Sequence, residues 1–312
     1  MPRPLAFLLS CCTAATCAAG VLPTEFDHDL IYLTAHAPDG STVKIYTDSG
    51  GGGGRVGRST AARLKLASAG ELDDDDGTKL SLVEFPAFLV QAGIPASTKV
   101  RGLRGRLVLA PDEAKMGGAM FLGSQWFADH VWQIDYPRHE MALATKFEPG
   151  AQDHEIPLGF VDNAAGKRQL DFPRITISVD GKPIDVLLDT GANFAVTAGS
   201  APTFQVAPGA FVGGSFIEKS IYDDWHGRHP DWKVIEHGDR AAALIEVPHV
   251  TVAGFVVGPV WFAMRPDAVW TGMMGPLMDE PIHGAFGGSG LRYFRVVMDY
   301  PRAKAWFRLG SP

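Results

Sequence analysis

The chain repeats itself with a long period, which restricts it to folds that two similar halves can build. Asp39-Gly40 is followed eight residues after the glycine by Asp48, in the triplet Asp48-Ser49-Gly50. Asp180-Gly181 is followed at the same distance by Asp189, in Asp189-Thr190-Gly191. Both aspartates end runs rich in β-formers, Thr42 to Tyr46 and Ile184 to Leu188. The Asp-Gly pairs read as hairpin turns between strands.

Further matches follow in the same order. Val83-Glu84-Phe85-Pro86 pairs with Ile245-Glu246-Val247-Pro248, with an Ala-Gly after each, at Ala92-Gly93 and Ala253-Gly254. Phe121-Leu122-Gly123 pairs with Met273-Met274-Gly275, and Ile134-Asp135-Tyr136-Pro137-Arg138 with Met298-Asp299-Tyr300-Pro301-Arg302. Asp48 to Asp135 spans 87 residues and Asp189 to Asp299 spans 110. On this alignment eleven of the extra residues precede Gly275 and twelve follow it, in Pro281 to Gly290. The expected organisation is a first lobe over 20–147, a connection over 148–170 and a second lobe over 171–312. Strands predominate, with one short helix after each apolar-apolar-Gly element, Ser124 to His130 being the clearer.

All three cysteines, Cys11, Cys12 and Cys17, fall within 1–19, which reads as a secretory signal. Arg3 supplies the positive start, Leu5 to Leu9 begin the apolar segment, and Cys17-Ala18-Ala19 offers small residues for cleavage. An exported mature chain, secreted or periplasmic, would then hold no disulfide and no catalytic thiolate. A lipid anchor at Cys11 or Cys17 is the alternative, though neither has a good small-residue context. No other stretch reads as a membrane span: Ala241 to Met264 is the most apolar, but Glu246, Pro248, His249 and Pro259 interrupt it. It reads as two strands around the Ala253-Gly254 turn. With 46% apolar and 20% charged residues a packed core is expected, and a net charge of −7 weighs against nucleic acid as a partner.

Two Asp-(Ser/Thr)-Gly triplets brought together have a specific chemical use. Adjacent carboxylates cannot both ionise easily, so they share one proton. One then serves as base toward a water, and the other as acid toward a carbonyl oxygen or leaving nitrogen. The glycine lets backbone approach the carboxylate, and the Ser or Thr hydroxyl can bridge to the opposite loop.

Ile184-Asp185-Val186-Leu187-Leu188-Asp189-Thr190-Gly191-Ala192-Asn193 resembles the active-site strand of aspartic peptidases. Ala192 is closer to the retroviral branch than to the pepsin type, and the Ile-Asp-Tyr-Pro and Met-Asp-Tyr-Pro strands resemble bacterial retropepsin-like proteins. The resemblance covers nearly the whole mature chain. It implies an all-β, two-lobed acid-protease fold with an inter-lobe cleft. It also implies an Asp48–Asp189 dyad supported by Ser49, Gly50, Thr190, Gly191, Gly123 and Gly275. The substrate implied is an extended peptide or protein, the reaction endopeptidase hydrolysis, and the state a monomer needing no metal or organic cofactor. A catalytically inactive peptide-binding protein is the alternative. No tyrosine lies between Ser59 and Gly118, so a pepsin-type flap tyrosine has no counterpart there, and Phe85, Phe88 or another loop would cover the cleft. Gly51 and Ala192 lack the hydroxyl that pepsin-type loops carry, so activity is expected to reach mildly acidic pH.

Three other patterns have simpler readings. Gly52 to Ser59 mimics a phosphate-binding loop, but Arg58 stands where the lysine belongs and the repeat assigns the segment to the aspartate loop. His226, His229, Asp231 and His237 match no strong zinc spacing and read as a surface insertion that could overhang the cleft. Asp73 to Asp76 reads as a solvated turn.

Overall fold

The strands that carry the two aspartates change character along their length. Thr42–Thr47 begins by alternating exposed and buried positions and ends with Ile45, Tyr46 and Thr47 all buried. Lys182–Leu188 does the same, ending with Val186, Leu187 and Leu188 buried. Strict alternation marks a sheet with one solvated face; loss of it marks where the strand runs between two packed layers. The computed structural model describes residues 20–73, 77–98, 104–111 and 118–310. The signal segment with Cys11, Cys12 and Cys17, and Asp74 to Asp76 of the acidic run, lie outside the described residues.

The molecule is mostly β and two-lobed, and the lobes have matching topology. In the first lobe an eight-stranded sheet carries, after its edge strand Thr24–Asp27, the order Leu30–His36, Thr42–Thr47, Met120–Leu122, Gly54–Gly57, Arg106–Ala110, Lys79–Glu84 and Ser68–Asp73. In the second the corresponding order is Arg174–Val179, Lys182–Leu188, Gly284–Phe286, Ser215–Glu218, Val260–Arg265, Ala242–Val247 and Val234–Asp239. Parallel pairings fall at equivalent places: Thr42–Thr47 with Met120–Leu122, and Lys182–Leu188 with Gly284–Phe286. Gly54–Gly57 runs parallel to Arg106–Ala110, as Ser215–Glu218 does to Val260–Arg265. The Val83 and Ile245 elements are therefore equivalent strands. The following Ala-Gly pairs are not: Ala92-Gly93 closes a helix, while Ala253-Gly254 turns the hairpin of Val250–Val252 and Phe255–Val257.

A third, six-stranded sheet joins the lobes. Its order is Gly20–Val21, Glu140–Ala144, Val131–Asp135, Phe294–Asp299, Lys304–Leu309, His154–Pro157. Its centre is the repeated Asp-Tyr-Pro-Arg element, with Ile134 paired to Val296 and Trp132 to Met298. Both copies turn identically: Asp135 Oδ1 accepts the Arg138 N–H at 3.1 Å, and Asp299 Oδ1 accepts the Arg302 N–H at 2.9 Å. The next residues, His139 and Ala303, are both left-handed. His154–Pro157 occupies the position in the second half that Gly20–Val21 occupies in the first. Part of the expected 148–170 connection is thus the opening strand of the second repeat rather than a linker.

Gly275 is not the partner of Gly123. It sits between a π-helical turn, Val269–Met274, and a 3-10 turn, Gly275–Leu277. The counterpart is Gly287, which ends Ala285-Phe286-Gly287 and precedes the short helix Gly288–Leu291, as Gly123 precedes Ser124–Phe127. With this assignment Gly123 to Asp135 and Gly287 to Asp299 are both 12 residues, so the insertion lies wholly before Gly287. The match of Met273-Met274-Gly275 to Phe121-Leu122-Gly123 is accidental: Met273 is exposed on a helical excursion, whereas Phe286 is wholly buried.

Backbone contact explains why both positions are glycine. A Cβ on Gly123 would lie 2.4 Å from the Gly51 carbonyl oxygen, and one on Gly287 would lie 2.4 Å from that of Gly214. Neither backbone oxygen can move without dislodging an aspartate loop. Gly123→Val and Gly287→Val are each expected to cost about 3 kcal/mol or more. Gly275→Ala, at an α-helical backbone position, should change stability by less than about 1 kcal/mol. Denaturant unfolding of the three variants checks the assignment; equal losses at 275 and 287 would contradict it.

Candidate active site

Each aspartate loop hangs from the strand before it and from the glycine strand beside it. The Asp48 N–H donates to the Leu122 carbonyl and the Asp189 N–H to the Phe286 carbonyl, both at 3.0 Å. The chain then turns back on itself: Gly50 N–H donates to Asp48 Oδ1 and Gly191 N–H to Asp189 Oδ1, both at 2.9 Å. A backbone donor fixes each carboxylate in one orientation, which side-chain rotamers alone would leave open.

The loops meet across the pseudo-twofold axis. The Ser49 N–H donates to Thr190 Oγ1 at 3.1 Å, and the Thr190 N–H donates to Ser49 Oγ at 3.0 Å. Ser49 Oγ also donates to the Leu188 carbonyl at 2.7 Å. Both residues are buried. Gly50 and Gly191 bring each loop against the opposite carboxylate. A Cβ on Gly191 would lie 2.3 Å from the Asp48 carboxyl carbon, and one on Gly50 2.4 Å from that of Asp189. Each carboxyl therefore faces the opposite loop, and the two are near enough to share a proton. The structure thus brings together Asp48, Ser49, Gly50, Gly123, Asp189, Thr190 and Gly191, and leaves Gly275 outside.

Burial sets the electrostatics. It pushes Asp189 well above the usual carboxylate range, and the nearby Asp48 charge raises it further. Burial raises Asp48 as well, but the hydrogen bond from Asp189, the backbone N–H groups of Gly50 and Gly51 and the charge of Arg55 oppose the rise. Both shifts favour protonation, and Asp189 is the better site for a proton shared by the pair.

Several contributors carried no repeat signal. Tyr46, buried on the strand before Asp48, donates its hydroxyl to the Gly191 carbonyl at 2.6 Å, and Asn193 Nδ2 donates to that same carbonyl at 2.8 Å. In the second lobe Ser215 Oγ receives the Gly287 N–H at 3.1 Å and lies 2.9 Å from Ser289 Oγ. Only Gly287 was recoverable, from its 12-residue spacing to Asp299. The poly-Gly loop is pinned: Gly51 and Gly53 carbonyls accept the Ser124 and Gly123 N–H groups, each at 2.7 Å. Gly51 leaves room for the Phe121 ring, whose Cζ would lie 2.5 Å from a Cβ there.

Gly54–Gly57 pairs within the sheet and Arg58–Arg63 is a short helix, so the phosphate-loop mimic is part of the aspartate-loop architecture. Of the histidine insertion, His226 and His229 lie away from the dyad, whereas His237 is on Val234–Asp239, whose end packs beside Ala195. His226 lies on Lys219–Arg228, and His229 Nε2 bonds Asp180 Oδ2 at 2.7 Å, at the tip of the hairpin leading to Asp189. Nine residues of strand at about 3.3 Å each separate that tip from the dyad.

No family model matches the chain, and no curated relative matches it. Among solved structures it is similar to the crystal structure of conglutin gamma, a unique basic 7S globulin from lupine seeds, at 11% identity and a TM-score of 0.49. The match covers 94% of this chain and 96% of that one. Neither the family nor the curated comparison supports the aspartic-peptidase resemblance at the level of sequence.

The reciprocal Ser49–Thr190 contact yields a stability test. Ser49→Ala leaves the buried Thr190 N–H without its acceptor, and Thr190→Val does the same to the Ser49 N–H. Each should cost about 1–3 kcal/mol. The double variant should cost less than the sum, because the two hydroxyls serve one contact. A double-mutant cycle by urea unfolding measures the coupling; strict additivity would argue against the grip.

Proposed function

We propose that this protein is an aspartic endopeptidase that hydrolyses peptide bonds in the inter-lobe cleft. The observation that carries the reading is the adjacent Asp48–Asp189 pair, held by equivalent loops from the two lobes. Acid–base hydrolysis needs one ionised and one protonated carboxyl within reach of a single water. Asp189 is the more deeply buried of the two, and Arg55 favours the ionised form of Asp48.

In the proposed reaction Asp48 removes a proton from water as its oxygen bonds to the scissile carbonyl carbon. Asp189 gives its proton to the carbonyl oxygen, forming a neutral gem-diol. The proton on Asp48 then passes to the amide nitrogen and the C–N bond breaks. A gem-diol hydroxyl returns a proton to Asp189, restoring the singly protonated pair with a carboxylic acid and an amine as products. An extended peptide would lie across the cleft through main-chain hydrogen bonds.

Two pH-dependent outcomes follow. Hydrolysis of a mixed peptide library should be bell-shaped on the acidic side and extend into mildly acidic pH, describing the pair rather than either residue. Asp48→Asn and Asp189→Asn should each reduce it nearly to background. A wild type inert from about pH 3 to about pH 8 that still binds peptides would favour a binding protein.

Stability carries the second outcome. The folded-state pKa of Asp189 lies above its unfolded value, so the folded chain binds the proton more tightly. Stability is then lost as pH rises from the unfolded pKa of about 3.9 through the raised folded pKa. Asn mimics the protonated acid. Asp189→Asn should therefore melt above wild type near neutral pH, with the difference vanishing below the unfolded pKa. Thermal unfolding across pH measures it, and a constant difference would contradict a raised Asp189.

A further inference from the structure

Arg55 occupies an unusual position for a cation. It sits on Gly54–Gly57, directly opposite Phe121 on the neighbouring antiparallel strand, with its guanidinium carbon 4.2 Å from the centre of the Phe121 ring. It is half-buried, and among the described residues it makes no hydrogen bond and no ion pair. The second lobe makes the contrast. There Arg265 lies over Phe216, also at 4.2 Å, but Asp239 Oδ2 takes its Nη2 at 2.5 Å and the Met264 carbonyl its Nη1 at 3.1 Å. One lobe satisfies its stacked arginine internally; in the other, no described residue hydrogen-bonds to it.

Arg55 lines a cavity of about 140 Å³ together with Tyr46, Ser59, Thr60, Pro111, Gly118 and Phe121. Phe121 also forms the wall between the cavity and the dyad. The position a Gly51 Cβ would take is 2.5 Å from Phe121 Cζ and 2.6 Å from Asp48 Oδ2. The cavity is therefore beside the reacting centre on the first-lobe side. A guanidinium lying over a ring keeps its planar fork of donors for a carboxylate, which it can take through two parallel hydrogen bonds. Arg55 feels the Asp48 charge, but no carboxylate among the described residues hydrogen-bonds to it, and a ligand carboxylate would supply that bond.

We propose that this cavity is a specificity subsite for a Glu or Asp side chain of the bound peptide, next to the scissile bond, with Arg55 as the residue that selects it. The assignment rests on the endopeptidase reading for the orientation of the peptide, but not on turnover. Ser59 and Thr60 line the same cavity and give it a polar rim.

The test uses uncleavable statine-type peptides that differ only in Glu against Gln at each position within two residues of the statine. Binding is measured by calorimetry near pH 6, where glutamate is ionised. Wild type should bind one Glu ligand about tenfold or more tighter than its Gln twin. Arg55→Met should bring that ratio close to one, and Arg55→Lys should retain part of it; melting curves verify that both variants are folded. Equal affinities for every Glu/Gln pair in wild type, no binding of any ligand, or an unchanged ratio in Arg55→Met would each overturn the subsite. A Glu preference lost in Arg55→Met, in a protein that cleaves no peptide, would sink the endopeptidase reading alone. Cleavage without any Glu preference would sink the subsite alone.

Discussion

Everything at the centre of this molecule depends on two backbone loops approaching more closely than side chains allow. Gly50 faces the Asp189 carboxylate, Gly191 faces that of Asp48, and the Ser49 and Thr190 hydroxyls each accept the other loop's N–H. These contacts are buried, so an unmade bond there carries its full desolvation cost. The loops cannot separate without leaving donors stranded, nor move closer without steric overlap. The mutual distance of the carboxyl groups is thereby set by backbone rather than by flexible side chains.

That constraint propagates outward through glycine. The aspartate loop needs a strand behind it, and the strand must end in a residue without a Cβ; Gly123 and Gly287 fill that role. Behind them the six-stranded sheet ties both lobes together through the repeated Asp-Tyr-Pro-Arg turns. Further inter-lobe contacts flank the axis: the Gly213 N–H donates to the His28 carbonyl at 2.6 Å, and Phe172 approaches Gly52. Lobe motion large enough to part the carboxyl groups would have to break this shared sheet, so their pairing is a property of the folded state.

Much of this was legible in the sequence because the constraint is local and repeated. Asp-Ser-Gly and Asp-Thr-Gly recur at fixed distance from a hairpin turn, and the closing Asp-Tyr-Pro-Arg element recurs verbatim from aspartate to arginine. Gly287 was missed because the apolar-apolar-Gly pattern is three residues long and occurs by accident at Met273-Met274-Gly275; spacing to Asp299 was the stronger signal. Tyr46 and Arg55 had no repeat to reveal them, since Leu187 and Phe216 occupy the equivalent strand positions. The histidine insertion could not be placed from sequence either, because its position follows from the His229–Asp180 contact between distant segments.

Those unmatched positions matter more than the matched ones for how a duplicated site divides its labour. A symmetric pair of carboxyl groups has no reason to place its proton on one member. The first lobe surrounds Asp48 with Tyr46, Phe121 and the cation Arg55, where the second has Leu187, Ala285 and Phe216. Tyr46 reaches across the axis to the Gly191 carbonyl, and Leu187 makes no reciprocal bond. Duplication supplies the geometry of the pair, and of the three diverged positions Arg55 supplies a charge that favours the ionised form of Asp48. The same divergence leaves a charged pocket on one side of the cleft, while the cation on the other side is neutralised by Asp239. On the proposed endopeptidase reading, the asymmetry of the pair and that of the adjoining pocket would share one origin, the substitution at Arg55.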